Sequence, residues 1–389
     1  MSSAESGVAP ATDTARGARI LITDAMPVNG GDEALVLGLL KALRRRWPGA
    51  RFTILCRRAE ESRRLLPGLH IEPGLERHDD IDAVERHYRS AGLVISTPGG
   101  FLHDYYDISA ALRGFQLALD LKKPLVLFAQ SMGPFTDRTT RCLVSDVLQR
   151  AALVAVRDSL SLQHVNDCGV TGEHVIRIPD AIFLWRRLAR SLFVSKSGPA
   201  RRAALCFRRW PYGDREAFKE TVKKGRRLVG HLHARGIEQF LFVSTCQGVA
   251  AYVDDSELAV RIVEGLPSAL RDCCVVDRER HHPEQMIRLL SECDVMFSMR
   301  LHGCLLAMLG GTPAMGLAYE SKTPEIFRQL GLKKYQLPFT SYATRWCECA
   351  SGLIDDLDNI RAALPDALDR MSARARRALD ALDALLPRT

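Results

Sequence analysis

Long apolar runs are missing: nowhere do about eighteen consecutive apolar residues occur, so no segment reads as a transmembrane helix. Paired CxxC motifs are missing too, and no His, Asp and Glu cluster has metal-ligand spacing, so no metal site is expected. There is no GxGxxG fingerprint, Gly-Lys-Ser/Thr loop or GxSxG elbow, which leaves dinucleotide, P-loop and α/β-hydrolase chemistry without support. Lys is scarce: only ten of the 54 Lys and Arg are Lys, and against 46 Asp and Glu the net charge is +8. With aromatics at 7% and no basic stripe interleaved with them, nucleic acid is not an expected partner, whereas small anions are.

What is present suits a soluble α/β protein. A chain of 389 residues, 47% apolar and 26% charged, is too long for one ordinary core and favours two domains. Its 11 Cys stand mostly alone in apolar runs, the usage of free thiols in a reducing cytoplasm, and the cytoplasm is the expected compartment. Cys347 and Cys349 read as a surface accident, not as a metal or redox pair. Residues 1–17 are rich in Ser, Ala, Thr and Gly without an apolar h-region, and read as a disordered tail.

Short β-rich runs at 18–24, 51–56, 92–96, 124–130, 152–156 and 175–178 each stop at a polar or Gly/Pro turn, and most lead into a helical pattern. That alternation predicts a parallel sheet covered on both faces, with ligands at the strands' C-terminal ends. A second set follows at 203–207, 239–244, 273–276, 294–298 and 313–319. The fold class expected is therefore α/β, with two Rossmann-like lobes and an interlobe cleft. The N-terminal lobe is placed at 18–185, an exposed linker at 186–202, the C-terminal lobe at 203–350 and C-terminal helices at 351–389, with the last of these bracing the first lobe.

The strand ends carry the chemistry. Asn29-Gly30-Gly31-Asp32-Glu33 reads either as an anion-binding turn or as a plain turn with a capping acid. Thr97-Pro98-Gly99-Gly100 is an extended glycine turn, with His103 and Asp104 offered to a sugar or simply bonded within the loop. Arg157 ends one strand, where pairing with a carboxylate is the bland reading. Arg300-Leu301-His302-Gly303 is sharper, because an apolar strand running into Arg and His marks a site, and Lys322 follows it after the next strand. An Arg fork and a Lys point charge suit phosphate or carboxylate, and His carries a proton near neutral pH. His281 and His282 read as surface loop.

Taken in order, these segments together with Gln130-Ser131-Met132-Gly133-Pro134, Pro179-Asp180 and Tyr319-Glu320-Ser321-Lys322 resemble the polysaccharide pyruvyl transferase family over residues 18 to 332. The resemblance implies a fold similar to two-lobed GT-B glycosyltransferases. It also implies transfer of a pyruvyl group from phosphoenolpyruvate to sugar hydroxyls as a ketal, on a cell-surface polysaccharide or exopolysaccharide precursor. On that reading His302 is the acid, Arg157 and Lys322 are clamps, and Arg300, Gly303 and Gly133 lie on the donor side. Asn29, Asp32, Gly100, Asp104 and Asp180 are assigned to the acceptor. Phosphoenolpyruvate is a substrate and no cofactor is implied; the other partners are a sugar or lipid-linked oligosaccharide and peripheral contact with the membrane. Val28 stands where the resemblance leads one to expect Gly, and Cys304 is unexpected beside the Arg-Leu-His-Gly turn. The competing readings are a sugar-nucleotide glycosyltransferase and an idle scaffold subunit of a polysaccharide assembly complex.

Overall fold

The computed structural model describes residues 17–76, 81–209, 215–247, 253–320 and 322–386. Residues 1–16 of the expected disordered tail lie outside it. The first sheet contains β1 (Arg19–Ala25), β2 (Arg51–Cys56), β3 (Ile71–Pro73), β4 (Leu93–Ser96), β5 (Gly99–Leu102), β6 (Leu125–Met132), β7 (Leu153–Val156) and β8 (Val175–Arg177). The second contains β9 (Arg202–Cys206), β10 (Gln239–Phe242), β11 (Cys274–Val276), β12 (Val295–Ser298), β13 (Ala314–Ala318) and β14 (Gln336–Pro338).

The paired strands within each sheet are parallel, in the orders β3-β2-β1-β4-β6-β7-β8, with β5 also on β6, and β11-β10-β9-β12-β13-β14. The second order is the doubly wound Rossmann sequence, and in both sheets the direction of winding reverses beside the lobe's first strand. Central strands such as Leu93–Ser96 and Val295–Ser298 are buried at every position, which is why they read as unbroken apolar runs.

The helix Gly30–Arg46 shows how sequence sets an element's ends. Asn29 caps it by accepting from Asp32 N–H, Asp32 and Glu33 fill the first turn and Arg44, Arg45 and Arg46 the last, each charge matched to the helix dipole. Gly38 lets Trp185 pack directly on this helix, because a Cβ there would stand 2.7 Å from the indole nitrogen. That nitrogen donates to Ala34 O at 2.7 Å.

Three short elements differ from the sequence reading. Gly99 and Gly100 start a strand, Ser131 and Met132 extend β6, and a helix runs unbroken from Ala343 to Asp355 through position 350. The segment read as an exposed linker opens with the helix Trp185–Leu188, in which Trp185 and Arg186 are buried. The reason is the tail: Arg186 Nε donates to Asp369 Oδ1 at 2.8 Å on the long helix Leu357–Asp383. Farther along, Asp383 accepts from Arg46 Nε at 2.7 Å and Trp47 Nε1 at 2.9 Å. The tail therefore packs against the first lobe.

A candidate active site between the lobes

Two strands of the first sheet are bent in their C-terminal halves. Asp24 in β1 (φ 61°) and Ala129 in β6 (φ 50°) adopt left-handed backbone, each where its strand's register slips. Such conformations are costly for residues with a Cβ and collect at working sites. Thr23 and Ser96 hydroxyls donate to Asp24 Oδ2 at 2.7 and 2.9 Å, and Gln130 Nε2 donates to Ser96 Oγ at 2.7 Å. Burial pushes the Asp24 carboxyl up, against those hydrogen bonds. Beyond the bend, Ser131 turns to Arg157.

Arg157 is only 1% exposed. Its Nη1 donates to Asp180 Oδ2 and its Nε to Ser131 Oγ, both at 2.8 Å, and Ser131 in turn donates to Asp158 Oδ2 at 2.6 Å. The Nη2 edge faces Gly100, where a Cβ would stand 3.0 Å from it. Glycine at 100 thus leaves only backbone over that edge of the guanidinium.

Asp180 is fully buried, and its Oδ1 accepts from Ile182 N at 2.9 Å. Its Oδ2 also faces His302 Nε2, which arrives from the second lobe, at 3.7 Å. Burial by itself would raise this carboxyl, but Arg157, His302 and the Ile182 N–H together hold it well below the ordinary carboxylate range. The His302 ring is wedged: Nε2 is buried with no partner at hydrogen-bond distance among the described residues, and a Cβ on Gly31 would stand 2.5 Å from Nδ1.

Lys322 starts the helix Lys322–Gln329 and pairs with Glu320. Burial would raise the Glu320 carboxyl, yet Lys322, Arg157 and Arg208 bring it below its usual value. Cations from both lobes therefore act on one carboxylate. Beside them, between the helices Ser159–Asp167 and Lys322–Gln329, opens a cavity of about 330 Å³ walled by Asp158, Gln163, Arg328 and Lys333. Among the described residues no group of three or more His, Cys, Asp or Glu is arranged to hold a metal ion.

The structure draws Arg157, His302, Asp180, Gly100 and Lys322 into one neighbourhood and gives the other candidates different work. Arg300 Nε and Nη2 grip the buried Asp255 at 3.0 and 2.7 Å. Gly303 is needed for packing: a Cβ there would stand 2.9 Å from Ser298 Oγ. Gly133 holds a left-handed turn (φ 74°) against His164. Asn29 and Asp32 cap each other, and Gly30 N–H is spent on Thr245 O of the second lobe at 2.7 Å, so this turn is no open anion cradle. Asp104 Oδ2 accepts from Thr136 N and Oγ1, both at 2.6 Å. Asp180 has no exposed surface to offer an acceptor hydroxyl.

Sequence reasoning missed Arg208, which follows the second lobe's first strand, and Glu320, which lay inside a quoted motif. The two His stand in a loop ahead of the helix Pro283–Ser291, as read, but they are not without partners. His282 Nδ1 and Arg280 Nη2 both bond the fully buried Glu33 of the first lobe, the latter at 2.5 Å, and His281 Nε2 contacts Asp277 Oδ2 at 2.6 Å. His282 and Arg280 thereby tie the lobes together, while the His281 contact stays within the second lobe. A second tie runs from Arg177 Nη1 to Ser159 Oγ at 2.7 Å and on to Glu325 Oε1 at 3.2 Å.

Among known proteins, residues 29–321 match the polysaccharide pyruvyl transferase family. The amylovoran biosynthesis protein AmsJ of Erwinia amylovora is 27% identical over 251 residues, which is 61% of this chain and 59% of that protein. The match thus spans less than two thirds of the relative's own length. Among solved structures, a glycosyltransferase from Rickettsia africae superposes with a TM-score of 0.62 at 9% identity, over 96% of this chain and 100% of that one. UDP-GlcNAc 2-epimerase from Neisseria meningitidis gives 0.59 at 10% identity, over 94% and 99%. At these identities the likeness concerns the fold alone, a GT-B-like pair of α/β lobes.

Proposed function

Because the chain belongs to the polysaccharide pyruvyl transferase family, we propose that this transferase moves the pyruvyl group of phosphoenolpyruvate onto two hydroxyls of a sugar in an exopolysaccharide or cell-surface polysaccharide precursor. The observation that carries this reading is the approach of Arg157 and His302, one from each lobe, to the same oxygen of Asp180. Phosphoenolpyruvate bears a phosphate and a carboxylate on an enol carbon, so its site needs cations and an acid. Arg157, Arg208 and Lys322 surround Glu320, whose carboxylate marks where negative charge is already favoured.

In the reaction, His302 gives a proton to the methylene carbon, which leaves C2 an oxocarbenium-like electrophile. One acceptor hydroxyl attacks C2 and surrenders its proton, restoring His302. The C2–O bond to phosphate then breaks, the second hydroxyl closes the ketal, and its proton leaves with phosphate. Arg157 and Lys322 stabilise the departing charge as fixed donors. Asp180 is a positioning residue: its buried carboxylate orients the guanidinium and faces the imidazole, much as an acid holds the base of a catalytic triad.

The test is phosphate release from phosphoenolpyruvate by the full-length protein, with a panel of nitrophenyl sugars and lipid-linked saccharides. Release should depend on an acceptor and vanish in His302→Ala. Unchanged release in that variant, or turnover of a sugar nucleotide in place of phosphoenolpyruvate, would overturn the reading.

A further inference from the structure

Two tyrosines stand out on the surface: Tyr105 is 77% exposed and Tyr106 53%. They are adjacent on the loop that leaves β5, the strand whose Gly100 covers Arg157. The His103 ring packs against both, edge-on to Tyr105 at 5.0 Å and tilted on Tyr106 at 4.7 Å between centroids.

The loop is braced. Asp104 N donates to Pro134 O at 3.2 Å, Tyr106 N to His103 O at 3.1 Å and Tyr105 N to His103 Nδ1 at 3.2 Å, while Asp104 Oδ2 grips Thr136. The rings are therefore held out by structure and do not hang on a slack loop. The loop also starts at the site, since it leaves β5 directly after Gly100 and Leu102, and a Cβ on Gly100 would stand 3.0 Å from Arg157 Nη2. Tyrosine joins an apolar ring to a polar tip and is enriched at interfaces where one side is apolar and the other wet.

The occupant follows from the chemistry of the loop. A pyranose ring has apolar C–H faces edged by hydroxyls, which suits the apolar face and polar hydroxyl of a tyrosine. A membrane surface would call for basic residues, and residues 101–112 contain no Lys or Arg. A stable protein partner would need about 800 Å² on each side, far more than two rings present.

We propose that Tyr105 and Tyr106, propped by His103, form a stacking subsite for a pyranose ring of the acceptor at the mouth of the interlobe site. This rests on the reading that the acceptor is a saccharide, and it names the side chains that hold it.

The experiment compares Tyr105→Ala and Tyr105→Phe in the full-length protein. Aromatic contacts of this kind are worth about 0.5–1.5 kcal/mol, so Tyr105→Ala should raise the KM for an oligosaccharide acceptor roughly three- to tenfold. The KM for phosphoenolpyruvate should stay fixed, and Tyr105→Phe should retain most of the affinity. Saturation-transfer NMR from the protein to a hexose oligosaccharide needs no donor. Its loss in Tyr105→Ala supports the subsite even if phosphoenolpyruvate proves to be the wrong donor. An unchanged acceptor KM with unchanged saturation transfer overturns it, as does a phosphoenolpyruvate KM that moves in step with the acceptor's.

Discussion

His302 Nε2 and Asp180 Oδ2 stand 3.7 Å apart on opposite sides of the lobe boundary, and that same oxygen is 2.8 Å from Arg157 Nη1. One buried carboxylate therefore faces a guanidinium and an imidazole together, and the approach of the lobes brings the third member in.

Asp180→Asn keeps the shape and removes the charge. Replacing the acid that orients a catalytic imidazole by its amide lowers kcat by up to about 10⁴-fold, so a fall of about 100-fold or more in kcat is expected. Stability gives an independent check. The folded Asp180 carboxyl sits below its unfolded value, so its contribution is present above about pH 4 and is lost as pH falls toward the folded pKa. The gap in melting temperature between the natural protein and the variant should be open at pH 7 and narrow below about pH 4.

Gly31→Ala tests the placement of the imidazole. The new Cβ would stand 2.5 Å from His302 Nδ1, so the ring must move. A misplacement of about 1 Å can cost roughly 100-fold in rate. The helix itself should not suffer, because Ala is the better helix former by about 1 kcal/mol. A steep loss of kcat with an unchanged melting temperature is the expected result.

Arg157→Lys is not conservative here. A single ammonium cannot reach Ser131, Asp180 and the edge beside Gly100 at once, whereas the planar fork does so. Donor kcat/KM should fall by about 100-fold or more, measured with phosphoenolpyruvate varied at saturating acceptor.

Glu33→Gln separates a buried tie from a surface one. Removing the charge strands Arg280 and His282 against a buried amide, and breaking such a pair costs about 3 kcal/mol. Lys41 pairs with Glu284 across the same boundary, where the Glu284 side chain is 53% exposed, so Glu284→Ala should cost less than about 1 kcal/mol. Denaturant unfolding of the two variants should show this order, and equal effects would contradict it.

The sheets were legible because their central strands are apolar on both faces. The three-residue strands β3 and β14 carry too little pattern to register, and β5 was hidden by its two glycines. Arg157 and His302 were legible for a related reason: a charged side chain at the end of a buried strand advertises an edge. Partner choice was not. Nothing local distinguishes Arg300, locked to Asp255, from Arg208, whose field reaches Glu320, and Glu33 meets Arg280 across 247 residues of chain. Those pairings arise only when two independently patterned lobes dock.

The long helix Leu357–Asp383 carries one last implication. The chain passes between lobes twice, once after Arg186 and once along this helix between Arg361 and Asp369. The two passages lie side by side, because Arg186 bonds Asp369 at 2.8 Å and Arg361 Nη1 bonds Gly198 O at 2.6 Å. A double ribbon of this kind bends more readily than it slides, so it would serve the lobes as a hinge. It also gives redundancy: a protease that nicks the first passage leaves the lobes clasped by the second, and the two fragments should travel together as one particle.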